Sequence, residues 1–146
     1  MGRPDARIVE GPVTPELYAD YLFLEATYGN RVHKDESTRL GDLAQAIAYS
    51  YQRGGKVLIP AFAVERSQEV LYSLYLLKQE GKLPAMPIFL DSPLAIKATE
   101  IFRRFSQYVD ADLKSLLDKG DDPFNMPEIR YKSITAESQA INEHMG

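Results

Sequence analysis

At 146 residues, 45% hydrophobic and 26% charged, the chain has the size and balance of one folded domain with a real core. It holds no cysteine and no apolar run of membrane-spanning length, which excludes disulfides, thiolate zinc sites, cysteine nucleophiles and membrane-spanning helices. A net charge of −4 carries no footprint of nucleic-acid binding, so any polyanion partner must meet a local positive patch.

In chain order, residues 1–20 lack periodicity and place Gly11, Pro12 and Pro15 at their centre, which reads as an extended lead-in to one unit spanning 21–146. Tyr21-Leu22-Phe23-Leu24 then runs straight into Glu25, and a turn signal follows at Gly29. Such a run predicts a strand buried on both faces, with Glu25 at the carboxyl end where open α/β sheets place ligands. Leu40, Leu43, Ala44, Ile47, Ala48 and Tyr51 repeat at helical spacing, with Asp35 as N-cap and Gly54-Gly55 as stop. Lys56–Pro60 is the second expected strand. A helix from about Val64 to Glu80 stops at Gly81, and Pro87–Leu90 is the third strand. Ser92-Pro93 is a cap residue followed by proline at the first helical position. The buried stripe expected of that helix is Leu94, Ala98, Ile101, Phe102, Phe105 and Val109. A short helix carries Leu113, Leu116 and Leu117 and ends at Gly120, Asp121-Asp122-Pro123 turns, a weaker fourth strand spans Ile129–Ser133, and a last helix opens near Thr135. The order β-α-β-α-β-α-α-β-α predicts a three-layer α/β fold: a mainly parallel sheet of about four strands with helices on both faces.

A parallel sheet gathers the polar ends of three strands on one edge. The first supplies Glu25, Thr27, Tyr28, Arg31 and His33, the second leads to Glu65, Arg66 and Ser67, and the third to Asp91, Ser92 and Lys97. Helix N-termini at Ala63–Ser67 and Ser92–Ala95 can cradle phosphate, and Arg66 can add a bidentate contact. An equal reading makes Ser92 only an N-cap and pairs Arg66 with Glu65 or Asp91. Glu25 and Asp91 suggest either a divalent-metal site or, more commonly, ion pairs with Arg31, Arg66 and Lys97. His33 is either a phosphate contact or a solvated loop residue. The two histidines, His33 and His144, form no H-x-H or H-E-x-x-H pattern, so this chain supplies no hydrolytic metal site. Tyr49, Tyr51, Tyr72 and Tyr75 sit at helical spacing and read as core or interface residues, not base-stacking platforms.

Three blocks carry a resemblance. Leu24-Glu25-Ala26-Thr27-Tyr28-Gly29-Asn30-Arg31-Val32-His33 resembles the Glu-Ser-Thr-Tyr-Gly segment of the β-CASP branch of the metallo-β-lactamase superfamily. The stretch from Gly54 to Glu69 is similar to that family's next block, and Ile88-Phe89-Leu90-Asp91-Ser92-Pro93-Leu94-Ala95 to its third. The family includes RNA endo- and exonucleases, among them the subunit that cuts eukaryotic pre-mRNA at its 3′ end. Its two zinc ions are held by an H-x-H-x-D-H motif, a further His and an Asp, none of which is matched here. Gly2-Arg3 resembles the tail of a Gly-Asp-x-Gly-Arg segment, and the end near His144 is similar to the approach to a strand leading to later histidines.

The resemblance therefore implies an excised β-CASP domain at 21–146, with Met1 a cloning start and the metallo-β-lactamase domain of the same parent chain as its partner. It implies a cytoplasmic, zinc-dependent ribonuclease parent that hydrolyses RNA phosphodiesters, and an isolated chain that binds no zinc and cuts nothing. Glu25 matches the first motif acid, implying that it orients a histidine absent from this chain. Thr27, Tyr28, Arg31, His33, Arg66 and Ser92 are the implied RNA contacts. Glu65 stands where many relatives carry Gly, and an added acid there weakens phosphate attraction. Surface exposed on an excised domain also favours a homodimer. The alternative is a non-catalytic phosphate- or nucleic-acid-binding α/β module, a degenerate member of the family.

Overall fold

A computed structural model describes residues 8–9, 11–13, 16, 18–24, 26–27, 29–30 and 38–143. Along the described residues run α1 (Arg39–Tyr51), α2 (Arg66–Gln79), β1 (Ile88–Asp91), α3 (Pro93–Arg104), α4 (Ala111–Asp118), β2 (Ile129–Lys132) and α5 (Thr135–Glu143). Short 3-10 turns lie at Ser106–Tyr108 and Pro123–Asn125.

Local chemistry sets most of these boundaries. Gly54, Gly81 and Gly120 take positive φ after α1, α2 and α4, the left-handed stop that glycine adopts without a Cβ penalty. After α2, the Gly81 N–H bonds Lys78 O at 3.0 Å and the Lys82 N–H bonds Leu77 O at 2.8 Å. α3 opens on Ser92, whose Oγ accepts the Ala95 N–H at 3.2 Å, with Pro93 at the first helical position. Asp110 caps α4 through the Asp112 N–H at 2.9 Å. Asp122 likewise takes the Phe124 N–H at 2.9 Å, and this turn drives Phe124 fully into the core.

α2 is the centre of the molecule. It buries Leu71, Tyr72, Leu74, Tyr75 and Leu77, and also the polar Ser67, Gln68 and Glu69 of its first turn. Around it pack Ile47 of α1, Leu113 of α4, Phe124, Ile129 of β2, and Ile8 from the lead-in, which is 1% exposed. β1 and β2 pair in parallel with Ile88 opposite Ile129 and Leu90 opposite Tyr131. Strand alternation turns those four toward the core and puts Phe89, Arg130 and Lys132 on the other face.

The α/β class and the parallel pairing are as the sequence predicts, and all five helices form within a few residues of their expected limits. The sheet differs: among the described residues it has two strands, not about four. Segments 21–24 and 56–60 have no regular structure, and Leu22, Phe23 and Leu58 are 71%, 93% and 86% exposed. A buried strand needs partners along its edges and layers on its faces, and an apolar run supplies neither. The stripe expected on α3 holds in part: Ala98 and Val109 are buried and Phe102 packs against the core. Ala95, Ala98 and Thr99 are buried against α2, while Leu94, Ile101 and Phe105 are exposed. Small side chains let the two helices approach closely, and Thr99 meets a buried polar group of α2. Tyr72 and Tyr75 are core residues as expected; Tyr49 and Tyr51 are exposed, with Arg53 stacked 3.7 Å over the Tyr49 ring. The expected cap Asp35 lies outside the described residues; Thr38 occupies the N-cap position of α1, where its side chain makes no capping bond.

Tyr75 donates its phenol to Asp121, and burial, then that bond and charge, push its pKa from 10.0 to about 12. The folded state therefore favours the protonated phenol. Its contribution is complete below pH about 10 and is lost as pH rises through about 12. In urea unfolding across that window, Tyr75→Phe is expected to flatten the alkaline loss of stability, with a cost of about 1 kcal/mol at neutral pH.

Candidate functional site

Of the three groups expected on one polar edge, the structure joins the starts of α2 and α3. The chain enters α2 through a tight turn at Glu65, whose φ of 66° and ψ of −60° belong to the left-handed region. Across it the Arg66 N–H bonds Val64 O at 2.8 Å, a three-residue γ-turn of the uncommon hand. Ser67 returns both its N–H and its Oγ to Phe62 O, at 3.1 and 2.8 Å. Gln68, fully buried, then ties three segments together. Its Nε2 lies 3.1 Å from Ala63 O, 3.3 Å from Ala95 O and 2.9 Å from Thr99 Oγ1, and Thr99 donates onward to Ala95 O at 2.8 Å. Gln68 Oε1 is buried with no hydrogen-bond partner among the described residues, so the amide is held by its nitrogen end.

This wiring settles what the two helix starts offer. The N–H groups of Arg66 and Ser67 and of Ala95 are already bonded within the chain, so neither turn is an open main-chain cradle for phosphate. Ser92 acts as an N-cap. The Arg66 side chain faces outward, half-exposed at 50%, and Glu65 and Lys97 are exposed as well. Arg66 pairs with neither Glu65 nor Asp91 but with Glu69, one helical turn on. Arg39, the first residue of α1, reaches the other oxygen of the same carboxylate at 3.3 Å. Glu69 itself is only 12% exposed. The three line a pocket of about 160 Å³ walled by Leu40, Leu43 and Val70. Asp91 instead accepts from Ser138 Oγ of α5 at 2.6 Å.

Of the remaining predicted residues, Thr27 is exposed in a turn that the Gly29 N–H closes on Ala26 O at 3.0 Å. Glu25, Tyr28, Arg31 and His33 lie outside the described residues. A larger open groove of about 640 Å³ runs between the outer face of the sheet and α5. Glu128 and Glu137 balance Arg130 and Lys132 there, and the Lys78 ammonium bonded to Glu128 holds its carboxyl below the usual range. Among the described residues no three His, Asp or Glu side chains are placed to hold a metal. Sequence reading missed Gln68, Glu69 and Arg39. The i, i+3 spacing of Arg66 and Glu69 was a usable signal; Arg39, thirty residues from Glu69, offered none.

Comparison with known families decides what this scaffold is. The Beta-Casp domain family matches residues 67–146, more than half of the chain and the part that holds α2, β1, α3 and β2. The chain belongs to that family. Ribonuclease TTHA0252 of Thermus thermophilus is 34% identical over 146 residues, all of this chain and 33% of that protein. Endoribonuclease YSH1 of Saccharomyces cerevisiae is 33% identical over 122 residues, 80% of this chain and 16% of its own length. Transcription termination factor FttA of Methanosarcina mazei is 37% identical over 121 residues, 81% of this chain and 19% of its length. The β-CASP chain thus spans a third or less of these curated relatives.

Glu65 in the γ-turn predicts a simple stability test. Glu65→Gly removes the Cβ that disfavours positive φ and is expected to stabilise the β-CASP domain by about 1 kcal/mol in chemical denaturation. Glu65→Ala keeps that Cβ and is expected to leave stability within about 0.5 kcal/mol of the parent.

Proposed function

We propose that this β-CASP chain is the RNA-clamping part of a zinc-dependent ribonuclease, and that it works against a metallo-β-lactamase domain of the same parent protein. The observation that carries the RNA reading is Arg66, a half-exposed guanidinium fixed at the start of α2 beside the N-terminus of α3. A fixed guanidinium matches phosphate oxygens in shape and charge. Two relatives are a ribonuclease and an endoribonuclease by name, which supports phosphodiester hydrolysis as the parent activity.

In this reading Thr27, Tyr28, Arg31, His33, Arg66 and Ser92 line the path of the RNA, and Glu25 orients a histidine supplied from outside this chain. The described residues do not fit a zinc pair, so their part in the reaction is to bind and to orient. The exposed apolar surface at Leu22, Phe23, Leu58 and Phe62 supports docking against further protein mass. A cytoplasmic setting belongs to the same proposal.

Two measurements test it. Arg66→Ala in this chain is expected to weaken binding of single-stranded RNA about tenfold by fluorescence anisotropy at low salt. Glu25→Gln in the whole parent protein is expected to lower kcat for RNA cleavage about 100-fold with KM little changed. Unchanged cleavage defeats the role given to Glu25. Binding of RNA by a parent that cuts none, with or without zinc, selects the non-catalytic module instead.

A further inference from the structure

The basic side chains of α3 are Lys97, Arg103 and Arg104. The fold makes visible use of Arg103, whose Nε bonds Asp122 at 2.6 Å and ties α3 to the turn that buries Phe124. Lys97 and Arg104 are exposed and, among the described residues, stand in no ion pair; nor does Glu100, which lies between them in the chain. The helix dipole accommodates Arg104 in the last turn, but it asks nothing of the aromatic residues that come next.

Phe105 closes α3 and Tyr108 ends the 3-10 turn after it, and their rings are 43% and 67% exposed. The backbone beneath them is fixed. The Tyr108 N–H bonds Phe105 O at 3.1 Å, and the next residue, Val109, is buried in the core. The Arg104 guanidinium carbon lies 5.7 Å from the Phe105 ring centroid, within cation–π reach. Among the described residues the Tyr108 ring stacks on no other aromatic and its phenol makes no hydrogen bond. One exposed ring is ordinary; two rings three residues apart, beside cations outside any ion pair, call for a ligand.

This row starts at the candidate site. Gln68 of α2 bonds Ala95 O in the first turn of α3 at 3.3 Å, so Arg66 and the start of α3 share one corner. Helical rise then carries Lys97 about 3 Å and Arg104 about 14 Å beyond Ala95 along the axis. Lys97, Ile101 and Arg104 follow helical spacing on one face, and exposed Leu94 and Ile101 give that face an apolar floor. A protein partner would suit Leu94 and Ile101, but it would have to bring acids to Lys97 and Arg104. A single-stranded nucleic acid brings both of the things this face can meet: a charged backbone and unpaired bases that stack on aromatic rings.

We propose that the exposed face of α3 continues the RNA path away from Arg66, with Lys97 and Arg104 on backbone phosphates and Phe105 and Tyr108 as a platform for unpaired bases. The proposal rests on the RNA reading above and adds to it a direction and a form of substrate. The strand is single where it crosses this face, because a duplex keeps its bases stacked on one another.

The test is fluorescence anisotropy of the 146-residue chain with two single-stranded probes of equal charge, from about 50 to about 200 mM salt. One probe is an oligoadenylate; the other is the same length of ribose-phosphate backbone without bases. Tyr108→Ala changes an exposed ring and is expected to leave the fold intact. It is expected to weaken oligoadenylate binding about tenfold, to leave the abasic probe unaffected and to keep the slope of log K against log salt. Tyr108→Phe returns the ring and is expected to return the binding. Arg104→Gln is expected to weaken both probes and to lower the slope by about 0.7, the loss of one phosphate contact. Unchanged oligoadenylate binding by Tyr108→Ala, an equal loss on both probes, or an unchanged slope in Arg104→Gln overturns the platform, while RNA binding that Arg66→Ala weakens keeps the RNA reading. Loss of self-association by Tyr108→Ala in sedimentation, with RNA binding intact, overturns it too and assigns the face to a second copy of the chain. Absence of any salt-dependent RNA binding by the unaltered chain overturns the RNA reading and the platform with it.

Discussion

Burial of α2 is the constraint on which the rest of the structure depends. Its later turns are apolar and fill the core in the ordinary way. Its first turn is buried too, and there the side chains are Ser67, Gln68 and Glu69. Polar groups taken out of water need bonds, and all three of these have partners, although Gln68 Oε1 has none among the described residues. Ser67 holds the preceding turn at Phe62, Gln68 holds Ala63 and α3, and Glu69 holds Arg39 and Arg66. The needs of the core thereby organise the surface around the candidate site.

What the sequence made legible is what local chemistry decides. Gly81 and Gly120 ended helices, Ser92-Pro93 began one, and Asp122 made the turn that buries Phe124, all from signals within a few residues. Burial is not local. The runs at 21–24 and 56–60 have strand composition, yet they are exposed here, because pairing depends on neighbours that composition does not name. Part of the α3 stripe was misread for a related reason, while Ala98, Phe102 and Val109 do pack in or against the core. Its periodicity pointed to Leu94 and Ile101, but close contact with α2 favours the small face of Ala95, Ala98 and Thr99, where Thr99 meets Gln68. At the site, Arg66 was visible as a cation at a helix start, whereas its alignment with Arg39 depends on how α1 and α2 pack.

The exposed apolar segments and the family membership have a common physical sense. The β-CASP chain spans a third or less of these relatives, and its described residues leave large apolar side chains exposed. Leu22, Phe23, Leu58 and Phe62 are among them. Their chemistry favours burial under a solid apolar surface.

The γ-turn at Glu65 reverses the chain in three residues and uses its own N–H groups to do so. Glycine-rich phosphate loops recognise their ligand through the main chain, which every residue carries and which tolerates drift in the side chains around it. A turn this short forgoes that insurance. An anion that binds at such a turn is met by side chains alone, and single codon changes can alter those while the fold stays intact.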